Sequence, residues 1–101
     1  MNKLISQHQA KIVDTAKKLD IIYLALFGSY ARGEETKNSD VDLLVEFDGS
    51  KRKSLFDLME AEEQLGRLLG RKVDLVSRSG ISRYIKPYIM DDIKVIYAQN
   101  T

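Results

Sequence analysis

The spacing of apolar residues predicts two long amphipathic helices and a buried strand between them. Residues 3–19 and 54–69 repeat apolar side chains every three or four positions, which is the period of an α-helix. Residues 21–27 form a continuous apolar run that ends at Gly28, as expected of a strand buried on both faces. The buried stripe of the second helix is predicted to contain Leu55, Leu58, Met59, Leu65, Leu68 and Leu69.

Three further runs complete a predicted sheet. Residues 41–47 alternate apolar and polar side chains, and 72–77 and 93–98 are shorter runs of the same kind. Short helices are expected near Ser29 and at Pro87, because serine caps helices and proline suits their first turn. Four strands interleaved with helices indicate a small mixed sheet flanked by helices, in the α/β (α+β) class.

Length and composition restrict the function classes. The chain has 101 residues, so we expect residues 1–101 to form a single domain. A net charge of +1 argues against a strong nucleic-acid footprint, which needs a large basic excess. No apolar run has the length of a membrane span and the N-terminus lacks a signal-peptide pattern, so we expect no membrane contact and a cytoplasmic location.

The absence of cysteine decides which metals are chemically accessible. Without cysteine there is no disulfide and no zinc–thiolate site. His8 is the only histidine, so a histidine cluster is excluded as well. Any bound metal must therefore be held by oxygen ligands, which favours magnesium, manganese or calcium.

A small-residue turn after the first strand is a candidate anion site. Gly28 allows a sharp turn and a close approach by a ligand, and the hydroxyl of Ser29 adds a hydrogen-bond donor. The helix expected after the turn would present free N–H groups, which suit a triphosphate. Arg32, about one turn later, either contacts the same phosphates or forms a surface ion pair with Glu34 or Glu35.

Three aspartates are candidate metal ligands. Asp40 and Asp42 are two apart on an extended segment, so both carboxylates point to one face. Asp74 lies in the otherwise apolar third strand, and it joins the pair if that strand lies beside the second. Three such carboxylates hold two hard cations for in-line phosphoryl chemistry. The alternative is that Asp74 forms an ion pair with Arg71 or Arg78.

These residues together resemble a known family. Gly28-Ser29, ten residues and then Asp40-x-Asp42, within GSYARG and SDVDLLV, is similar to the signature of the DNA polymerase beta-like nucleotidyltransferase superfamily. The short chain resembles its minimal-nucleotidyltransferase (MNT) branch. The resemblance extends from Ile21 to Tyr97 and is densest between Phe27 and Val45.

The resemblance implies a reaction and a partner. It implies transfer of a nucleoside monophosphate, AMP from ATP by preference, with two Mg²⁺ ions (Mn²⁺ as the alternative). Gly28 and Ser29 would bind the triphosphate, while Asp40, Asp42 and Asp74 would bind metal and act catalytically. Many members of the branch are antitoxins that adenylylate a tyrosine on a small helical HEPN toxin.

Two other functions stay open from the sequence. The chain is alternatively a non-catalytic module that neutralises a partner by contact. It is alternatively an enzyme that transfers nucleotide to a small molecule or an RNA end, as larger relatives do. An exposed sheet edge and a tyrosine-rich C-terminal segment also lead us to expect either a homodimer or a complex with a helical partner.

Overall fold

A computed structural model describes residues 2–84 and 86–99 of the chain. The helices and strands follow the order expected from the sequence, with bounds that differ by one or two residues. In chain order they are α1 (Lys3–Lys18), β1 (Ile21–Phe27), α2 (Gly28–Arg32), β2 (Val41–Phe47), α3 (Leu55–Leu69), β3 (Val73–Ser77), α4 (Lys86–Met90) and β4 (Lys94–Ala98). A single 3₁₀ turn, Arg78–Gly80, was not anticipated.

The four strands form one mixed sheet in the order β3-β2-β1-β4. β1 runs antiparallel to both β2 and β4, whereas β2 and β3 are parallel and joined through α3. A parallel pair requires a crossover connection, and the helix supplies it. The prediction of a small mixed sheet flanked by helices is therefore confirmed.

The core lies between one face of the sheet and the two long helices. Side chains of α1 (Ile5, Ile12) and α3 (Leu65, Leu69) pack with inward residues of the strands, such as Leu43 of β2. Within β2, odd-numbered residues face this core and even-numbered ones face the other way, as the alternation predicts. Asp42 is thereby directed away from the hydrophobic core.

The chain that links β3 to β4 contacts the opposite face of the sheet at its start. These two strands are at opposite edges, so residues 78–93 must pass from one edge to the other. The passage begins at Arg78, whose guanidinium lies 4.0 Å from the ring centre of Tyr23 in β1 and 3.8 Å from the carboxylate of Glu46 in β2. The connection therefore begins on the face that carries Asp42.

The predicted apolar stripe of α3 is wrong at its N-terminal end. Leu55 and Met59 are 69% and 54% exposed, and neighbouring Phe56 is 80% exposed. The helical period is correct, because Leu58 in the same turn packs against the core, but Leu55, Phe56 and Met59 are left exposed. Ser54 and Asp57 do cap the helix, because the Ser54 N–H donates to the Asp57 carboxylate at 2.7 Å.

No helix in residues 2–84 or 86–99 is both long enough and apolar enough to span a membrane.

Two leucines of α3 allow a matched test of this packing. Leu65→Ala should lower the free energy of unfolding by about 2–5 kcal/mol, because the side chain is fully buried. Leu55→Ala, the control on the same helix, should change it by less than about 0.5 kcal/mol. Urea unfolding followed by circular dichroism measures both, and comparable losses would contradict the assigned core.

Candidate active site

The parallel pairing of β2 and β3 brings two of the three predicted carboxylates side by side. Asp42 and Asp74 are direct partners in the register of the two strands. Asp40 lies two residues before Asp42, just ahead of β2, whose pairing with β3 begins where the Val41 N–H donates to the Lys72 carbonyl at 2.9 Å. The condition under which Asp74 joins the pair, a third strand beside the second, is thus met.

Of the three aspartates, Asp42 has the environment least favourable to an ionised carboxyl. Partial burial raises the pKa of its carboxyl, and the negative charges of Asp74 and then Asp40 raise it further. The positive charge of Arg32 acts in the opposite direction and lowers that pKa. The folded chain therefore concentrates negative charge at Asp42 and places one cationic side chain close enough to offset part of it.

The glycine turn touches the carboxylate directly. Gly28 has a φ of +75°, in the left-handed region that favours glycine. A Cβ atom at this position would lie only 2.4 Å from the Oδ2 atom of Asp42. This contact arises because Phe27, the last residue of β1, is paired with Asp42 in the antiparallel register. Gly28 and Ser29 consequently border the carboxylates.

Arg32 closes α2 with two ion pairs. Its Nε donates to Glu34 at 3.2 Å, and its Nη1 donates to Asp92 at 2.9 Å. Asp92 and then Glu34 raise the pKa of the guanidinium. The surface ion pair with Glu34 was one of the two alternatives from the sequence. Asp92 was not anticipated, because a pair separated by 60 positions leaves no local signal.

Asp74 is more accessible than Asp42, and Asp40 is partly exposed. Asp74 is exposed, although its neighbours in the strand, Val73 and Leu75, are buried. Its alternative partners are engaged elsewhere, since Arg78 pairs with Glu46 and Arg71 donates to the carbonyl oxygen of Lys37. The side chain of Asp40 is 44% exposed and its Oδ2 is 3.9 Å from the Nζ of Lys72. The cluster is therefore open to the surface.

The donor set suits a hard divalent cation, although the three carboxylates do not form a ready-made cage. All the candidate ligands are carboxylate oxygens, and mutual repulsion at Asp42 is the condition that a cation relieves. Within the described residues, no three acidic, histidine or cysteine side chains are gathered in a metal-holding arrangement. The chemistry of the donor set fits a hard divalent cation such as Mg²⁺ or Mn²⁺.

A shallow depression on the surface is separate from these carboxylates. None of the three aspartates contributes to it. It is lined by Asn2, Lys3, Leu4, Tyr30, Glu35, Thr36, Lys37 and Arg71. The accessibility of the carboxylates follows instead from the exposure of Asp74 and the partial exposure of Asp40.

The fold and this constellation define a nucleotidyltransferase, and comparison with known proteins agrees. The sequence profile of the nucleotidyltransferase domain family matches residues 9–96. A Methanocaldococcus jannaschii protein assigned as a protein adenylyltransferase is 38% identical over 94 residues, which is 92% of this chain and 91% of the relative. The chain belongs to the nucleotidyltransferase domain family.

Solved structures share the fold. One assigned as a minimal nucleotidyltransferase has a TM-score of 0.78 and 27% identity, over 93% of this chain and 95% of its own. Another is a complex of a tri-AMPylated Shewanella oneidensis HEPN toxin with an MNT antitoxin. A chain of that complex has a TM-score of 0.69 and 20% identity, over 93% of this chain and 72% of its own.

A comparison of two glycines tests the contact between the turn and the carboxylate. Gly28 and Gly33 both have positive φ, but an added Cβ meets nothing within 4 Å at Gly33. Gly33→Ala should cost about 1–2 kcal/mol of stability from backbone strain alone. Gly28→Ala should cost about 1–3 kcal/mol more, from the added clash. Combining Gly28→Ala with Asp42→Ala should recover part of that difference in urea unfolding, and no recovery would contradict the contact.

Removal of one charge tests the repulsion at Asp42. A raised pKa means that ionisation of Asp42 at neutral pH destabilises the folded chain relative to the unfolded chain. Asp42→Asn should therefore raise the melting temperature in the presence of a chelator. The control Asp14→Asn, on the exposed side of α1, should have little effect. A lower melting temperature for Asp42→Asn would show that Asp42 is compensated without metal.

Proposed function

We propose that this domain transfers AMP from ATP to a hydroxyl group of a partner protein. The observation that carries the proposal is the close approach of Gly28 to the carboxylate of Asp42. Asp42 is in turn the register partner of Asp74. One small surface thus combines a phosphate-sized turn with neighbouring carboxylates. Membership of the nucleotidyltransferase domain family supports a nucleoside triphosphate as the donor.

Each residue has a proposed role. Gly28 lets the backbone approach the triphosphate without a side chain in the way, and Ser29 adds its hydroxyl as a donor. Arg32 supplies positive charge beside the phosphates. Asp40, Asp42 and Asp74 are the proposed Mg²⁺ ligands, with Mn²⁺ as the alternative ion.

The proposed chemistry needs no covalent intermediate on the protein. Two Mg²⁺ ions held by these carboxylates would supply activation of the attacking hydroxyl and neutralisation of the leaving pyrophosphate. Asp74, as the exposed member, is the carboxylate best placed to orient the incoming hydroxyl. Asp42 lies against the glycine turn and so keeps the carboxylates beside the proposed triphosphate site.

The proposed acceptor is a tyrosine on a HEPN-type toxin, so that the domain acts as an antitoxin. The assigned activity of the 38% identical relative supports a protein acceptor. The fold shared with a chain of the HEPN–MNT complex is consistent with such a partner. The accessible carboxylate cluster also favours a macromolecular acceptor. We include a single domain over 1–101 and a cytoplasmic location in this proposal, and the homodimer stays a prediction.

The non-catalytic alternative makes the opposite prediction about the carboxylates. A module that neutralises its partner by contact has no use for crowded negative charge at Asp42. Retaining that unfavourable charge is a reason to prefer the catalytic function. Transfer to an RNA end is disfavoured by the net charge of +1, which gives little general attraction for nucleic acid.

Calorimetry with ATP tests the donor site. The native chain should bind ATP in the presence of Mg²⁺ and bind it at least about tenfold more weakly in a chelator, because the carboxylates and the triphosphate repel each other. Asp40→Ala/Asp42→Ala should abolish the Mg²⁺-dependent component. The matched control, Asp14→Ala/Asp91→Ala, removes two exposed aspartates elsewhere and should bind normally.

Transfer itself is measured with ATP labelled at the α-phosphate and a purified HEPN-type partner. Label should appear on a tyrosine of the partner with the native chain and be absent with Asp40→Ala/Asp42→Ala. Full neutralisation of the partner by the double variant, without label transfer, would overturn the catalytic function and establish the contact module.

A further inference from the structure

The ion pair between Arg32 and Asp92 joins the nucleotide turn to the far end of the chain. Arg32 is the last residue of α2, the helix that directly follows the turn at Gly28. Asp92 lies between α4 and β4, and its Oδ2 accepts a hydrogen bond from the Arg32 Nη1 at 2.9 Å. The contact spans 60 positions of sequence, so it is a product of the tertiary fold.

The two ends of this contact are anchored by different elements. α2 has five residues, too few to be stable by itself, and Tyr30 is its only buried side chain. Asp92 is held by its own N–H, which donates to the Ile89 carbonyl at 3.0 Å, and by β4, whose Lys94 pairs with Leu26 of β1. β1 leads directly into the glycine turn and α2, and β4 pairs with β1. The ion pair between Arg32 and Asp92 therefore links the end of α2 back to the sheet.

Glu34 cannot replace Asp92 in this role. Glu34 is two residues from Arg32, and its side chain is 66% exposed, whereas that of Asp92 is 25% exposed. A pair between such close neighbours fixes nothing outside its own loop. An exposed pair is also weakened by solvent and salt, more than a partly covered one. Asp92 is therefore the partner that sets the position of the guanidinium relative to the sheet.

The ion pair leaves Arg32 able to contact phosphate. A guanidinium has five N–H donors. One Nε donor and one Nη1 donor are used by Glu34 and Asp92, so the second Nη1 donor and both Nη2 donors are free of these two partners. The helix that Arg32 ends begins at Gly28, where an added Cβ would lie 2.4 Å from the Oδ2 atom of Asp42. Arg32 is thus held at the border of the carboxylate cluster.

We propose that Asp92 is a positioning residue for the nucleotide site, acting through Arg32 to hold α2 and the glycine turn in the conformation that binds the triphosphate. This inference rests on the proposed function for its ligand, ATP. The bracing of α2 through Arg32 and Asp92 does not depend on nucleotide. Asp92 itself does not touch the substrate. Its negative charge should disfavour an anionic ligand by simple electrostatics, so a positioning role has an effect of opposite sign.

Asp92→Asn gives the decisive comparison, with Asp91→Asn as the matched control. Asp91 is the neighbouring, exposed aspartate, so its removal deletes the same charge at nearly the same place. Calorimetry with Mg²⁺ and ATP should show about three- to tenfold weaker binding for Asp92→Asn. Asp91→Asn should bind equally well or slightly better. Asp92→Glu, which keeps the carboxylate, should recover part of the affinity.

Hydrogen exchange of the nucleotide-free protein tests the brace independently of ATP. The amides that close α2, those of Gly33 and Glu34, donate to the Ser29 carbonyl and should exchange about three- to tenfold faster in Asp92→Asn. The amides of α1 should be unchanged in that variant, which excludes general destabilisation, and Asp91→Asn should resemble the native chain throughout.

The outcomes separate this inference from the proposed function. Unchanged exchange in α2 would overturn the positioning role, whatever ATP does. Tighter ATP binding by Asp92→Asn would also overturn it, by showing that Asp92 competes with phosphate for Arg32. Faster exchange in α2, combined with no ATP binding by the native chain, would support the brace and refute the proposed donor.

Discussion

The contact between Gly28 and the carboxylate of Asp42 is the constraint on which the site depends. It requires β1 and β2 to pair in a single register, because a shift of one residue would move Asp42 into the hydrophobic core. It also requires a residue without a side chain at the end of β1. The same register places Asp74 beside Asp42 through the parallel pairing of β2 and β3. β2, which pairs with both β1 and β3, therefore places Asp42 beside the glycine turn and beside Asp74.

The energetic consequence is a site whose carboxylates repel each other unless a cation neutralises them. Asp42 is partly covered and faces two like charges, with only Arg32 in opposition. The hydrophobic packing of α1 and α3 on the other face of the sheet supplies the stability that tolerates this repulsion. Stability and chemistry thus occupy opposite faces of the same four strands, which is how a domain of this size combines a closed core with an accessible site.

The outer parts of the domain connect to this centre through long-range polar contacts. Arg78 crosses from the end of β3 to Tyr23 and Glu46, and Asp92 reaches back to Arg32. The segment between β3 and β4 is consequently tied to the functional face at both ends.

The sequence by itself determined the helices, the strands and the identities of the candidate residues, because periodicity and short spacing are local properties. The direction of Asp42, away from the core, already follows from the alternation in β2. Only the tertiary structure decided that Asp42 meets Asp74 and Gly28, since strand order and register depend on packing across the whole sheet. The exposure of Leu55 and Met59 and the pairing of Arg32 with Asp92 were likewise undetermined, because they depend on which distant elements are opposite them.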